Sequence, residues 1–253
     1  MNTKLDCCVA PAPASPARRQ LLRSAVGLAA LSAAGGLGSL AVTPLAHADA
    51  LTQEQRDKLT PDQILELLQR GNERFRTGKM HPHDFLAQKR ATATGQHPAV
   101  ALLSCIDSRA PAEIIFDVGL GDTFNARVAG NVANDDLLGS LEFACAAAGA
   151  KVILVMGHTS CGAIKGAIDN VQLGHLTGLL DKIKPAVAAT SYTGARTSKN
   201  AEFVDAVATT NAHQTVATIR SQSEVLAKLE AAGKIKIAAS MYHLQGGRVD
   251  FLG

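Results

Sequence analysis

From residue 96 onward, short apolar runs alternate with stripes at helical spacing. Ala99 to Ile106 and Lys151 to Met156 are apolar almost throughout, as strands buried on both faces are. Asp122 to Val128 reads as another strand. Between them, Pro111 opens a short helical stretch through Phe116, and Asp135 to Ala148 reads as a helix ended by Gly149. A helix follows Cys161 to about Asp169, and Leu176 to Lys184 and Glu202 to Ala232 are helical, with Gly194 to Asn200 a polar loop. Lys236 to Met241 and Arg248 to Leu252 form two strands around Gly246-Gly247, adding an edge hairpin. This alternation predicts an α/β fold: a mostly parallel β-sheet flanked by helices on both faces. Upstream, Thr60-Pro61-Asp62-Gln63 is a helix start with a capping box and proline at the first position. Ile64, Leu67, Leu68 and Phe75 then follow near helical spacing, with Gly71 a weak point. That stripe must be buried against its own domain or a neighbouring subunit.

The first residues follow other rules. Ala17-Arg18-Arg19-Gln20-Leu21-Leu22-Arg23 is a twin-arginine pattern. An Ala/Gly/Leu-rich run from Ala25 to Val42 and the small-x-small motif Ala46-His47-Ala48 come next. A removed export signal explains this better than a retained anchor, because the run is only moderately hydrophobic and ends in a cleavage motif. The expected organisation is a signal over 1–48, a helical arm over 49–95 and one α/β domain over 96–253, with a periplasmic or secreted product and no stable membrane insertion. There is no internal repeat. The chain's net charge of +3 equals that of residues 1–48, which hold Lys4, Arg18, Arg19 and Arg23 against Asp6. The remainder is balanced, so composition gives a nucleic-acid partner no support.

Cys7 and Cys8 fall in the leader, and Cys105, Cys145 and Cys161 remain, too few and odd for a disulfide framework. Cys145 lies in an Ala-rich helical pattern and reads as a buried structural thiol. Cys105 lies in Ser104-Cys105-Ile106-Asp107-Ser108-Arg109, directly after one apolar run. His158 and Cys161 lie in Gly157-His158-Thr159-Ser160-Cys161-Gly162, directly after another. The carboxyl ends of strands are where open α/β sheets bind ligands. Two thiolates and an imidazole favour zinc, and three protein ligands leave a position for water or substrate. Asp107 and Arg109 follow on the same turn. A carboxylate there can accept a hydrogen bond from a zinc-bound oxygen and a bidentate arginine can orient it, although a plain turn-stabilising salt bridge is the alternative. Cys161 precedes a helix start, where the dipole favours a thiolate, and Gly162 offers an unhindered N–H.

Together these segments resemble the β-class carbonic anhydrases. Cys105-Ile106-Asp107-Ser108-Arg109 and Gly157-His158-Thr159-Ser160-Cys161-Gly162-Ala163 are similar to the family's two ligand motifs. Pro111 to Asp117, Gly121 to Phe124, Arg127 to Asn131, Gly71 to Phe75 and Gly246 to Val249 resemble further family segments. The resemblance implies hydration of carbon dioxide to bicarbonate and a proton by zinc-bound hydroxide, with one zinc held by Cys105, His158 and Cys161. It implies that Asp107 accepts from the hydroxide or, in a closed state, ligates zinc itself, and that Arg109 pairs with Asp107. It also implies that Gln96 and Phe124 line the carbon dioxide pocket, that the Gly162 N–H faces substrate, and that the protein is a homodimer or homotetramer. Val128 departs from the family, which has Asn there. His81, His83, His97, His175, His213 and His243 are candidate proton carriers, each better explained as a surface histidine. Carbon disulfide or carbonyl sulfide hydrolysis on the same fold, and a non-catalytic zinc-stabilised interaction protein, are the rival readings.

Overall fold

In the computed structural model, residues 50–252 are described. The twin-arginine segment, its apolar run and the cleavage motif lie outside them. Among the described residues, no helix is long and apolar enough to cross a membrane.

A five-stranded sheet forms the centre, in the order β2-β1-β3-β4-β5. Its strands are β1 (Val100–Ser104), β2 (Thr123–Arg127), β3 (Val152–His158), β4 (Lys236–Tyr242) and β5 (Val249–Leu252). All neighbours are parallel except β4 and β5, so the predicted sheet and its antiparallel edge are both present. Every residue of β1 and β3 is buried, which explains why neither run alternates in sequence. Successive side chains still point to opposite faces. Ala101, Leu103, Ile153 and Val155 pack with Leu138, Leu141, Ala212, Val216 and Ile219. Val100, Leu102, Val152 and Leu154 pack on the other face with Ile64, Leu68, Ile115 and Phe116.

The helices depart from expectation in instructive ways. Two short helices precede β1 besides the expected one: α1 (Gln53–Lys58) and α3 (Phe85–Ala91) flank α2 (Pro61–Arg76). Thr52 and Gln55 form the same capping box at α1 that Thr60 and Gln63 form at α2, and Asp84 caps α3. Helix α2 runs through Gly71 without a break. A Cβ there would sit 1.8 Å from the Phe116 carbonyl oxygen, so the glycine permits α2 to rest directly on the backbone after α4 (Ala112–Ile115). The stripe therefore packs on its own sheet through Ile64 and Leu68, while Leu67 is left 42% exposed.

The expected helix over 135–148 is α5 (Asp135–Glu142) followed by a π-helical turn, Phe143–Ala147, before Gly149 at φ 83°. Past β3 come α6 (Gly162–Ile168), α7 (Gly174–Asp181) and α8 (Lys184–Ala189), two short helices where one was expected after α6. The long helix expected over 202–232 is broken into α9 (Ala201–Gln222) and α10 (Glu224–Ala231). Ser223 makes the break: its backbone is extended, its hydroxyl oxygen caps α10 by accepting the Leu226 N–H, and the same hydroxyl donates to Glu142 at 2.5 Å.

Candidate metal centre

The strand ends assemble the site. β1 stops at Ser104 and delivers Cys105, while β3 stops at His158 and α6 begins one residue after Cys161. A third apolar cluster closes around them, in which Cys105 and Cys161 pack with Ile164, Leu180, Ile183, Phe203, Val204 and Ala208. The Cys105 and Cys161 sulfurs are 4.0 Å apart, and the ligand atoms of Cys105, His158 and Cys161 all lie within 4.8 Å of one another. A tetrahedral metal binding thiolates at about 2.3 Å would set two sulfurs about 3.8 Å apart. The spacing fits.

The imidazole is prepared for the same role. His158 Nδ1 lies 2.9 Å from the Thr159 carbonyl oxygen, which can only accept, so the ring proton sits on Nδ1 and the Nε2 lone pair is free. Nε2 is buried and has no hydrogen-bond partner among the described residues. An orphaned nitrogen aimed at two thiols is what a buried ligand set presents without its ion. Backbone contacts complete the setting: the Gly130 N–H donates to Cys105 Sγ (3.4 Å), and Arg127 donates from Nε to the Cys105 carbonyl (2.9 Å) and from Nη2 to the Asp107 carbonyl (2.5 Å). Gly130 has φ 70°, and a Cβ there would meet Ile183 at 2.6 Å, so a glycine suits both its conformation and its packing.

The electrostatics favour a cation. With the sulfurs this close, the Cys161 thiol donates to Cys105 and holds Cys105 as a thiolate, well below the ordinary cysteine range. That hydrogen bond, burial and the Cys105 charge in turn push Cys161 up, so the pair shares one proton. At His158 burial opposes the charged ring, but the nearby negative Cys105 and Asp107 and the Thr159 carbonyl outweigh it and raise its pKa. Cys145 differs: it is buried with no such neighbour, burial pushes its thiol up to about 12, and it is structural as expected.

Asp107 and Arg109 lie beside this cluster. Arg109 holds both carboxylate oxygens, with its backbone N–H and Nε on Oδ1 (2.9 and 3.0 Å) and Nη2 on Oδ2 (2.8 Å). These bonds keep the Asp107 carboxyl far below the usual carboxylate range. Its Oδ2 is 3.9 Å from His158 Nε2, so the clamped carboxylate overlooks the open side of the ligand set. Gly162 starts α6, and a Cβ on it would meet nothing within 4 Å.

The other expected residues lie away from this cluster. Gln96 is exposed ahead of β1, nine residues before Cys105 and at the opposite end of that strand. At about 3.3 Å per residue, no single chain brings it to the cluster. Phe124 pairs in register with Ala101, three residues short of the end of β1, and packs edge-on to Phe143 (6.1 Å) at the β2 edge. Of the histidines, His83 is 2.9 Å from Asp117 beside the amino-terminal ends of the strands. His243 follows β4 at the same end as the cluster and contacts Asp250 at 2.8 Å. Val128 packs among apolar neighbours, and Asn131 Nδ2 is buried without a hydrogen-bond partner among the described residues. Sequence reasoning passed over Arg127 and Thr159, whose contacts exist only once the strands are aligned.

Fold and cluster together define an open α/β protein with a candidate metal centre at the carboxyl ends of its parallel strands. A carbonic anhydrase family model matches residues 100–249. Carbonic anhydrase 2 of Mycobacterium tuberculosis (strain CDC 1551 / Oshkosh) is 37% identical over 187 residues, covering 72% of this chain and 87% of that protein. The β-carbonic anhydrase CafA of Aspergillus fumigatus superposes with a TM-score of 0.57 at 25% identity, over 64% of this chain and 79% of that one. A structure described as one of two tetrameric β-carbonic anhydrases from Sordaria macrospora shares the fold, with a TM-score of 0.56 at 23% identity over 64% and 83% of the two chains. The chain belongs to the β-class carbonic anhydrase family.

Proposed function

We propose that Cys105, His158 and Cys161 hold one zinc ion per subunit and that the protein interconverts carbon dioxide and water with bicarbonate and a proton. The observation that carries the site assignment is the orphaned His158 Nε2 facing two close sulfurs, beside a carboxylate clamped by Arg109. When bound, the ion supplies a Lewis acid that brings the pKa of a water toward neutrality. The chain's own residues do the rest. Thr159 fixes the tautomer that turns Nε2 inward. Asp107, kept ionised, can only accept hydrogen bonds, so a water at the open side gives its hydrogen to Oδ2 and turns a lone pair toward substrate. Arg109 holds both oxygens of that carboxylate, so Asp107 would have to be released from Arg109 before it could itself join the ligand set. The Gly162 N–H offers a donor to a product oxygen, and the proton leaves to bulk buffer.

Gln96 and Phe124 enter this scheme through a second copy of the chain. Among the described residues the outer side of β2 is unpaired, and Phe143 beside Phe124 is 59% exposed, which supports a homodimer or homotetramer joined along that edge. Light scattering on the purified protein reads the assembly directly. Export by the twin-arginine route is part of the same proposal, and exchanging Arg18 and Arg19 for lysine should leave the precursor unprocessed inside the cell.

The test of the activity is proton-release kinetics with carbon dioxide, with zinc quantified in the same sample. Catalysed hydration with about one zinc per chain is expected. Sulfide release from carbon disulfide without hydration, or bound zinc without turnover, would sink the reading.

A further inference from the structure

We propose that Asp205 is a positioning residue of the metal loop, holding Ser160 in the left-handed conformation that turns Cys161 toward Cys105 and His158. This rests on the reading that those three side chains bind a metal.

Between the end of β3 at His158 and the start of α6 at Gly162, the chain must reverse within Thr159, Ser160 and Cys161. The reversal is made at Ser160, which has φ 56°. Four non-glycine residues have positive φ among the described residues: Asp117, Asn131, Ser160 and Asn170. Asp and Asn tolerate this region best because their short polar side chains bond locally. Ser160 is the exception, and it sits between two ligands. A conformation that an L-residue resists persists only where its surroundings hold it.

The two sides of the turn are held differently. Thr159 is anchored to the closing hairpin: its N–H donates to the Tyr242 carbonyl (3.0 Å) and its hydroxyl accepts the Leu244 N–H (3.0 Å). That fixes His158. On the Cys161 side, the Ser160 N–H donates to Asp205 Oδ1 at 2.8 Å, across 45 residues of chain. A carboxylate acceptor makes this among the stronger kinds of backbone hydrogen bond. Asp205 lies on α9, and its neighbours Val204, Val207 and Ala208 are buried in the apolar cluster that contains Cys161 and Ile164. The carboxylate therefore stands on the element that packs behind the ligand loop. Cys161 makes no side-chain cap to α6, which leaves its sulfur to the cluster.

The experiment uses the zinc-loaded full-length protein and follows zinc release to a chromogenic chelator, with thermal unfolding measured alongside. Asp205→Ala should release zinc about 10–100-fold faster, the range for lost outer-shell partners. Asp205→Asn keeps an acceptor oxygen and should stay within about threefold of the parent. The decisive arm is rescue. Ser160→Gly removes the conformational resistance, so Asp205→Ala combined with Ser160→Gly should return most of the way to parental release. A carboxylate that merely stabilises α9 would not be rescued by a glycine in another element. Parental release in Asp205→Ala, release in Asp205→Asn as fast as in Asp205→Ala, or a double variant no slower than Asp205→Ala overturns the proposal. Should Asp205→Ala not fold, a double variant that folds and releases zinc near the parental rate supports the proposal, and one that fails to fold or releases zinc more than about tenfold faster than the parent overturns it. A parent protein that binds no zinc would defeat the metal assignment itself, and this inference with it.

Discussion

Asn72 is the side chain on which the amino-terminal arm and the closing hairpin both depend. It lies on α2 and is only 4% exposed. Its Nδ2 donates to the carbonyls of Ile115 (3.2 Å) and Gly247 (2.8 Å), and its Oδ1 accepts the Val249 N–H (2.9 Å). Two carbonyls on one side and an N–H on the other also settle which way the amide points. Asn72→Ala removes three hydrogen bonds and strands two acceptors and a donor in a buried place. At about 0.5–1.5 kcal/mol per bond, and more where a buried group is left unsatisfied, the loss should be about 3–5 kcal/mol. For a domain near 200 residues that is a fall in Tm of about 6–20 °C. Asn72→Asp is more informative. It keeps the acceptor for Val249 but turns a carboxylate oxygen on two carbonyls, so the folded state favours the neutral acid and raises its pKa. The aspartate variant should therefore be at least as unstable as the alanine variant at pH 7. It should recover as pH falls, when the protonated acid can donate again. Because the hairpin also braces Thr159, both variants should lose zinc faster than the parent. Thermal and urea unfolding followed by circular dichroism provide the readout. A cost below about 1 kcal/mol for Asn72→Ala would mean that water or rearrangement replaces these bonds, and the reasoning would be wrong.

Three further outcomes follow from the site and its surroundings. Asp107→Ala should lower kcat/KM for hydration by about 10²–10⁴ with zinc content unchanged, and full activity in stopped-flow assays would remove the carboxylate from the mechanism. Zinc affinity should rise with pH around neutrality, because the apo pair shares a proton that binding must expel; competition titrations showing no pH dependence would contradict the shared proton. Asp117→Asn should destabilise the protein at pH 7, because although burial opposes its charge, Arg74, His83 and the His81 N–H hold the Asp117 pKa below its usual value. A depressed pKa stabilises above the unfolded value, so the gap between variant and parent should close as pH falls below about 4, and a gap independent of pH would exclude the ion pair as its cause.

How much could be read before folding differs from element to element. The apolar runs of β1 and β3 announced a sheet covered on both faces, and the residues directly after them announced the cluster. Thr52 with Gln55 carried the same capping signal as Thr60 with Gln63, so α1 was legible and passed over. The break at Ser223 was only half legible: serine before Glu224 is a cap signal, but the hydroxyl's contact with Glu142 spans 81 residues. Gly71 looked like a flaw in a helix because the Phe116 carbonyl it accommodates is distant in sequence.

The local order of residues determined the elements and the chemistry: strand-ending cysteines and a histidine, with an acid and an arginine one turn on. Those features are short-range, set by the period of side chains along a strand or helix and by the donor atoms each residue carries. Only the tertiary structure decided that the sulfurs stand 4.0 Å apart, that Asp107 is clamped, that Gln96 lies at the far end of β1, and that Asp205 holds Ser160. Such facts depend on strand register and helix packing, which sum many weak contacts between residues far apart in the chain, and no window of neighbouring residues contains that sum.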